Sequence, residues 1–353
     1  MARYSEFEVQ PLDQLRSFNL PFAKKVFFEV SFSSDAELTV SVASAWTFKF
    51  SILSSTLTLG EHVTPSLLWI SLYAILTHDV SLQQITIANP DLLSNVPLFL
   101  VTNHDDALIA TRQVFFQYSP QPTNDTLAWL GYNFTNSQST PDYLLVAANG
   151  RKYPARPTKP SPGQALYSRY IPTLQKSFDL RVVDISENID LFAAWMNKDR
   201  VANFWNMKGN VDEVHRPYLN TLAKDKHVIP AFGYLDQQPF LYTELYYVSE
   251  DHLAPFVDDL GPHDMGFHLL VGSEDHRGPA IVSAWLPSIA HYLFLLDLRT
   301  NYIFLEPRVD NYKLQDYLIK HGFSKLKEFD FPHKRAALFR ISRREFFTTG
   351  PAP

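Results

Sequence analysis

The stretch His268-Leu-Leu-Val-Gly-Ser-Glu-Asp-His-Arg-Gly-Pro-Ala-Ile-Val-Ser-Ala-Trp285 predicts a strand that runs through a glycine-containing loop into a helix. This layout places backbone N–H groups and a helix N-terminus in front of an anion. Gly278 allows the backbone to approach a ligand closely, and Pro279 suits the first position of a helix. The stretch therefore predicts a site for a phosphate-bearing ligand.

The composition is that of a globular protein. Of the 353 residues, 46% are hydrophobic and 19% are charged, and the length suits two domains. The formal net charge of −6, without a long basic run, argues against a nucleic-acid partner. The absence of cysteine excludes disulfides and thiolate metal sites, and no His-Glu-x-x-His motif occurs, so we expect no metal.

The termini and the apolar runs predict a cytoplasmic protein. The N-terminus lacks the apolar core of a signal peptide, and no apolar run approaches the roughly 20 residues of a membrane span. The C-terminus is not a peroxisomal address. We therefore expect no membrane partner.

Three regions follow from the pattern of the chain. Residues 1–118 combine strand-like alternation with one helix introduced by Thr64-Pro65, and they show no polar constellation that suggests chemistry. We interpret them as a non-catalytic N-terminal α+β domain. Residues 119–166, which include the proline-rich segment 156–163, predict an extended linker. Residues 167–353 predict a mixed α/β domain.

The elements of this last region are bounded by local signals. Asp184 or Ser186 can cap a helix after a first strand, and Pro287 is expected to kink the helix that begins at Pro279. Asp310 or Asn311 can cap a later helix that ends near residues 321–322. The predicted strands cover 178–183, 228–234, 240–248, 265–272, 302–306, 325–331 and 336–341, with a hairpin at 236–238.

The loop Asp275-His-Arg-Gly-Pro-Ala280 approximates the pyrophosphate loop of the GNAT superfamily of N-acetyltransferases, (Gln or Arg)-x-x-Gly-x-(Gly or Ala). Asp275 departs from that pattern, and an acidic side chain there must point away from the phosphates. Alone, the match is also compatible with an ordinary strand-to-helix turn.

Residues 167–347 resemble the siderophore-biosynthetic hydroxamate acyltransferases of that superfamily, both the aerobactin-type hydroxylysine and the fungal hydroxyornithine enzymes. The resemblance rests on these segments: Tyr170-Ile-Pro, Trp195-Met-Asn-Lys-Asp-Arg-Val-Ala-Asn-Phe-Trp205, Pro262-His-Asp-Met-Gly-Phe-His268, Arg277-Gly-Pro, Ala284-Trp, Glu306-Pro-Arg-Val-Asp-Asn311 and Glu328-Phe-Asp-Phe-Pro-His-Lys-Arg335. It implies a GNAT fold, an α/β (α+β) architecture with a mostly antiparallel sheet flanked by helices. A second, degenerate copy of that fold is one interpretation of residues 1–118.

The resemblance implies a reaction in which acyl-CoA acylates the N-hydroxylated side-chain amine of ornithine, or of lysine, to a hydroxamate, without an acyl-enzyme. The acceptor is a small molecule, and we expect a homodimer. The fungal-type hydroxyornithine acceptor is preferred on overall likeness. The alternatives are an acetyltransferase for another small amine, and a non-catalytic acyl-CoA-binding or scaffold protein.

Two residues are candidates for the general base. His268 falls on the face of its strand opposite to Met265, Phe267 and Leu269, and histidine titrates near neutral pH, but a structural histidine is the alternative. In the family's pattern, an acidic residue at Asp310 is linked with catalysis, although Asp before a helix is most often a cap.

Further residues are assigned to ligands from the resemblance. The cofactor set is Leu270, Val271, Arg277, Gly278, Pro279, Ala280 and Asn311. The acceptor set is Trp195, Asn197, Arg200, Trp205, Tyr242, Glu244, His263 and Asp264. Arg200 can pair with the acceptor's carboxylate and Glu244 with its α-amino group, while core packing or turn formation is the alternative for each set. The basic cluster 333–335 predicts a solvated turn more readily than a contact to the 3′-phosphate of CoA.

Overall fold

A computed structural model describes residues 28–34, 37–42, 46–51, 55–59, 63, 65–93, 96–97, 99–117, 144–146 and 152–348. The chain divides into two compact units. One contains the described residues up to 117 together with 169–177, and the other contains the described residues 144–168 and 178–348.

The first unit is built around a sheet with the strand order β1-β2-β3-β4-β5-β7-β6. Its strands are β1 (Phe28–Ser34), β2 (Glu37–Val42), β3 (Trp46–Ser51), β4 (Thr56–Thr58), β5 (Gln84–Ile87), β6 (Val101–Thr102) and β7 (Leu108–Thr111), and its helices are α1 (Pro65–His78) and α2 (Arg112–Phe115). Paired strands are antiparallel except β4 and β5, which α1 connects.

The second unit is built around a sheet with the strand order β10-β11-β12-β13-β14-β15-β17-β16. Its strands are β10 (Ala165–Ile171), β11 (Lys176–Val182), β12 (Val228–Leu235), β13 (Gln238–Tyr247), β14 (Met265–Val271), β15 (Tyr302–Leu305), β16 (Ser324–Asp330) and β17 (Arg335–Ser342). Its helices are α3 (Ile185–Met196), α4 (Asp199–Trp205), α5 (Arg216–Lys224), α6 (Pro279–Leu296), α7 (Tyr312–Lys320) and α8 (Arg343–Thr348). The mixed, mostly antiparallel sheet flanked by helices confirms the predicted fold class.

Both sheets repeat one connection pattern. Four antiparallel strands lead through a helix to a parallel fifth strand, and the sheet ends in a hairpin whose second strand lies inside the first. In this pattern β1–β4, α1, β5, β6 and β7 correspond to β11–β14, α6, β15, β16 and β17. The correspondence supports the interpretation of the N-terminal block as a second copy of the fold.

The two copies differ at the end of their parallel strand pair. In the first unit, the Asn89 side chain accepts a hydrogen bond from the Leu59 N–H at 2.7 Å and donates one to the Leu59 carbonyl at 2.8 Å, which joins the strand ends. In the second unit, β14 and β15 pair only at Met265 with Ile303 and at Gly266 with Phe304. Beyond these pairs the two strands separate, and an opening forms between them.

Residue order along β13 and β14 positions the side chains beside this opening. Glu244 lies opposite His268 in the antiparallel register, and Tyr246 lies opposite Gly266. A methyl group on Gly266 would come within 2.6 Å of the Tyr246 ring. Glycine at this position therefore allows the tyrosine to lie flat across the strand, next to His268.

Helix α6 carries the chain from β14 to β15. It begins at Pro279, as predicted, after Gly278 with φ of +116°. It continues through Pro287 to Leu296, and every residue from Ala284 onward is buried. By length and composition α6 could cross a membrane, but most of it is buried inside the second unit.

The predicted elements of this unit are confirmed, with two corrections. Asp184 caps α3 through the Ser186 N–H, and Asp236 and Gln237 form the hairpin turn with positive φ. Residues 119–166 are not only an extended linker, because β8 (Leu144–Val146) pairs with β9 (Lys152–Pro154); residues 119–143 and 147–151 lie outside the described residues. The second sheet begins at Ala165, and residues 169–177 cluster with the first unit.

We predict that Gly272→Ala lowers the free energy of unfolding by about 1–3 kcal/mol, because overpacking a well-packed core is destabilising. A methyl group at Gly272 would lie 1.8 Å from the buried Trp195 ring. Chemical denaturation of the single variant, of Trp195→Leu and of the double variant measures the coupling. The cost of Gly272→Ala should shrink when Trp195 is Leu; an equal cost in both backgrounds would contradict the proposed clash.

Candidate active site

A cavity of about 1300 Å³ occupies the opening between β14 and β15. Its walls come from α4 and the segment up to α5, from β14 and the loop before α6, from residues 305–308 after β15, from the start of α7, and from the turn between β16 and β17. The cavity therefore joins the predicted anion-binding loop to the face of the sheet that carries His268.

His268 lies between two glutamates at the base of this cavity. Its Nδ1 is 3.1 Å from Glu244 Oε2, and its Nε2 is 3.0 Å from Glu306 Oε1. Both carboxylate side chains are only 5% exposed, whereas 34% of the His268 side chain is accessible. The ring is thus the most accessible part of this triad, and both glutamates also border the cavity.

Hydrogen bonds fix both glutamates. Glu244 Oε1 accepts from the Tyr218 hydroxyl at 2.6 Å and from the Tyr242 hydroxyl at 2.8 Å. Glu306 Oε2 accepts from the Tyr246 hydroxyl at 2.9 Å.

A lysine on the cavity wall completes the network. Lys334 Nζ lies 3.2 Å from Glu306 Oε1 and 3.0 Å from the Glu306 carbonyl oxygen. Buried carboxylates require such compensation, because an unpaired buried charge costs several kcal/mol.

The network alters the protonation of its members. Burial lowers the pKa of His268, but the charge of Glu306 and the hydrogen bonds to Glu244 and Glu306 raise that pKa to about 10. Burial raises the pKa of Glu306, but His268 and Lys334 hold it well below its usual range. At neutral pH His268 is therefore an imidazolium whose two N–H groups both donate to carboxylates.

The general-base role predicted for His268 requires the ring to lose one of these protons first. An imidazolium has no free lone pair, so it can donate a proton but cannot accept one. Glu244 lies on the cavity wall beside the ring and retains the acceptor capacity that the ring lacks. The base role of His268 therefore stays a prediction, and Glu244 is a second possible proton acceptor beside it.

Asp310 lies at the edge of the cavity rather than on its wall. Arg308 holds its carboxylate through Nε at 3.0 Å and Nη2 at 2.6 Å, and these hydrogen bonds lower the pKa of Asp310. Asn311, and not Asp310, caps α7 through the Leu314 N–H. A base role for Asp310 stays a prediction, and it requires the carboxylate to leave Arg308.

Arg200 lines the cavity, but its guanidinium is already engaged. It donates to the Val271 carbonyl at 2.7 Å, to the Gly272 carbonyl at 3.0 Å and to Glu274 at 2.6 Å. It therefore fixes the loop after β14, and its pairing with the acceptor's carboxylate stays a prediction.

Of the other predicted acceptor residues, Trp205 and Glu244 line the cavity. Glu244 is committed to the network around His268, which argues against its predicted contact with the α-amino group. Tyr242 is fully buried, and it contacts the cavity residues Glu244, through its hydroxyl, and Trp205, through its ring. The expected role of Tyr242 is thus replaced by support of that carboxylate.

Trp195, Asn197, His263 and Asp264 lie outside the cavity wall. Trp195 packs in the core, and Asn197 exchanges two hydrogen bonds with the Gly209 backbone. Asp264 accepts from the N–H groups of residues 261, 301 and 302, and His263 lies 3.4 Å from Asp297. The observed contacts of these four residues are those of core packing or of turn formation, which was the alternative to a role in acceptor binding.

The predicted cofactor residues fall into two groups. Those that line the cavity are Leu270, Val271, Arg277, Gly278 and Asn311. Pro279 and Ala280 form the first turn of α6 behind the loop. Within the described ranges, no group of three or more His, Asp or Glu side chains is placed to hold a metal ion.

Sequence reasoning missed four residues of the network. Glu306 was part of a matching segment without an assigned role, and Lys334 was interpreted as part of a solvated turn. Tyr218 and Tyr246 carried no signal beyond their type. The alternation of residues along β13 could have identified Tyr246, which shares the face of Tyr242 and Glu244.

Comparisons with known proteins agree with the predicted superfamily. A family model described as an acetyltransferase (GNAT) domain matches residues 184–331. An N(5)-hydroxyornithine:cis-anhydromevalonyl coenzyme A-N(5)-transacylase of Beauveria bassiana is 40% identical over 201 residues, which are 56% of this chain and 44% of the relative. An N(6)-hydroxylysine O-acetyltransferase of Escherichia coli is 38% identical over 196 residues, which are 56% of this chain and 61% of that relative.

The chain spans about half the length of these two relatives. An acyltransferase of Zymoseptoria tritici is 32% identical over 320 residues, which cover 80% of this chain and 75% of that protein. Because the similarity extends over three quarters of this acyltransferase and a GNAT domain model matches the second unit, the chain belongs to a family of GNAT-type acyltransferases.

Proposed function

We propose that this protein is an acyl-CoA-dependent N-acyltransferase that converts the N-hydroxylated side-chain amine of an amino acid into a hydroxamate. The observation that carries the proposal is His268, a reachable imidazolium held between two buried glutamates where β14 and β15 separate. Such a centre can exchange protons with both a nitrogen nucleophile and a sulfur leaving group.

Acyl-CoA fits the cavity along β14. The loop before α6 offers the glycine-flanked N-terminus of a long helix, to which phosphates bind through backbone N–H groups. Arg277 lies on this loop and lines the cavity. The thioester then lies between the loop and His268, beside the unpaired part of β14.

The transfer needs two proton movements. The hydroxylamine nitrogen attacks the thioester carbon, and its proton passes to Glu244 as the C–N bond forms. The C–S bond then breaks, and His268 donates its Nδ1 proton to the leaving sulfur, which leaves a lone pair on Nδ1. Because Glu244 Oε2 and His268 Nδ1 are 3.1 Å apart, the proton on Glu244 can return directly to the ring and restore the starting state.

The acceptor is a hydroxyornithine in our preferred account, and a hydroxylysine in the alternative. One relative is named for hydroxyornithine and another for hydroxylysine, so similarity supports either acceptor. The names of these two relatives also differ in the atom that is acylated, since one gives N-transfer and the other O-transfer. A second candidate function, acylation of another small amine, and a non-catalytic acyl-CoA-binding role are tested in the same assay.

We predict that the purified protein releases free thiol from acetyl-CoA in the presence of N5-hydroxyornithine, and more slowly with N6-hydroxylysine. Ornithine and lysine should give no comparable rate, because their ammonium groups lack a lone pair at neutral pH. Ferric ion should form a coloured complex with the product, since an N-acyl product is a bidentate hydroxamate and an O-acyl product is not.

Three results would revise this account. Thiol release without a ferric complex would indicate O-acylation. Comparable rates with unhydroxylated amines would favour a general amine acetyltransferase. Acyl-CoA binding without thiol release for any of the four acceptors would favour the non-catalytic role.

We predict that kcat/KM persists to about pH 10 and falls above it, because His268 must be protonated and its pKa is raised to about 10. Glu306→Gln removes the charge that most raises the pKa of His268, while burial continues to lower that pKa. In this variant kcat/KM should therefore begin to fall at a lower pH. His268→Gln should lower kcat by about 10²–10⁴.

Glu328→Gln is the matched control, because Glu328 is exposed and pairs with Lys325 and Arg335 away from the cavity. Its pH profile should follow that of the unchanged protein. A rate that rises with pH toward 10 would instead show that a neutral His268 is the base. Asp310→Asn tests the second base candidate, because kcat should change little if Glu244 accepts the proton, whatever the change in KM.

A further inference from the structure

Arg308 is a cavity residue that the proposed chemistry does not use. It lies two residues after Glu306, on the segment that continues beside β17 through an isolated bridge between Arg308 and Ala336. In an extended segment, side chains two residues apart point to the same side and are about 7 Å apart. Arg308 is therefore placed about one amino-acid length from the carboxylate that contacts His268.

The guanidinium of Arg308 is held rigidly before any ligand arrives. Nε and Nη2 donate to the two Asp310 oxygens at 3.0 and 2.6 Å, and Nη1 donates to the Asn203 carbonyl at 3.0 Å. The Phe204 ring lies 5.3 Å from the guanidinium carbon. A guanidinium fixed in this way loses little conformational entropy when it binds a ligand.

The described contacts leave two donors of Arg308 unused. Of its five N–H groups, Nε uses one, and each terminal nitrogen uses one of its two. One N–H thus remains on each terminal nitrogen. This pair can bind the two oxygens of one carboxylate.

The other cavity cations are less suitable for a carboxylate near His268. Arg200 keeps as many unused N–H groups as Arg308, but it lies against the loop after β14, beside the proposed phosphate site, and not on the segment that carries Glu306. Lys334 is engaged by Glu306. Arg277 lies on the anion-binding loop and pairs with Glu274. Lys313 lies at the start of α7 with its side chain exposed, so its ammonium is not fixed in position.

We propose that Arg308 binds the α-carboxylate of the acceptor and so restricts the enzyme to N-hydroxylated amino acids. This inference rests on the proposed function. The decarboxylated counterpart, an N-hydroxydiamine, presents the same nucleophile without the group that Arg308 recognises. Asp310 then acts as a positioning residue, since it orients Arg308.

The experiment compares N5-hydroxyornithine with N-hydroxyputrescine in the full-length protein and in Arg308→Met. The unchanged protein should prefer hydroxyornithine by about 10- to 100-fold in kcat/KM, the range expected for a hydrogen-bonded charge pair. In Arg308→Met this preference should disappear because kcat/KM for hydroxyornithine falls, while kcat/KM for N-hydroxyputrescine stays the same. Arg308→Lys should restore part of the preference.

Arg340→Met is the matched control. Arg340 also pairs with an aspartate, Asp259, at 2.7 Å and lies over the ring of Tyr302, but it lies outside the cavity wall. This variant should retain the preference for hydroxyornithine. Melting temperature and CoA affinity, measured for every variant, report whether the fold and the cofactor site are intact.

Calorimetric titration of both acceptors into the CoA-bound protein separates this inference from the proposed function. If hydroxyornithine binds more tightly through Arg308 but no acyl transfer occurs, the proposed function fails and the carboxylate site stands. The Arg308 assignment is overturned if transfer occurs but Arg308→Met lowers the affinity for both acceptors equally. It is also overturned if Lys313→Met removes the preference for hydroxyornithine and Arg308→Met does not. If neither acceptor binds the unchanged protein, both fail.

Discussion

The separation of β14 from β15 is the constraint on which the site depends. Two residue pairs hold the parallel strands together, and beyond them each strand keeps backbone groups that face an opening. The buried helix α6 makes this separation stable, because it ties the two strands together from one face of the sheet. In the first unit the corresponding position is bridged by the Asn89 side chain, so the same connection pattern gives a cavity in one copy and a side-chain link between the strand ends in the other.

The opening brings charged groups to the centre of a sheet, and their mutual compensation explains the arrangement around His268. Glu244 and Glu306 come from different strands, and neither can be buried without partners. Three tyrosine hydroxyls, Lys334 and the imidazolium provide those partners. The same contacts that make the glutamates tolerable raise the pKa of His268, so the stability of the sheet and the protonation of the site have one physical origin.

Much of the second unit could be predicted from local signals. Strand alternation, the cap at Asp184, the turn at Asp236 and the loop around Gly278 each follow from a few neighbouring residues, and the structure confirms these elements. The roles of side chains were harder to predict, because they depend on contacts between distant segments. Arg200 was expected to face a substrate, but it binds carbonyl groups more than 70 residues away. Lys334 reaches Glu306 only because β17 lies next to β15.

The central claim is that acyl donor and hydroxylamine meet at His268, in the opening between β14 and β15. A crystal structure with a bisubstrate analogue, in which CoA is joined through its sulfur to an acyl group on hydroxyornithine, tests it most directly. The account predicts the pantetheine chain along the unpaired part of β14, the pyrophosphate at residues 276–278, and the hydroxamate within hydrogen-bond distance of His268. An analogue bound in another place, or bound here with its hydroxamate out of reach of His268, would contradict it.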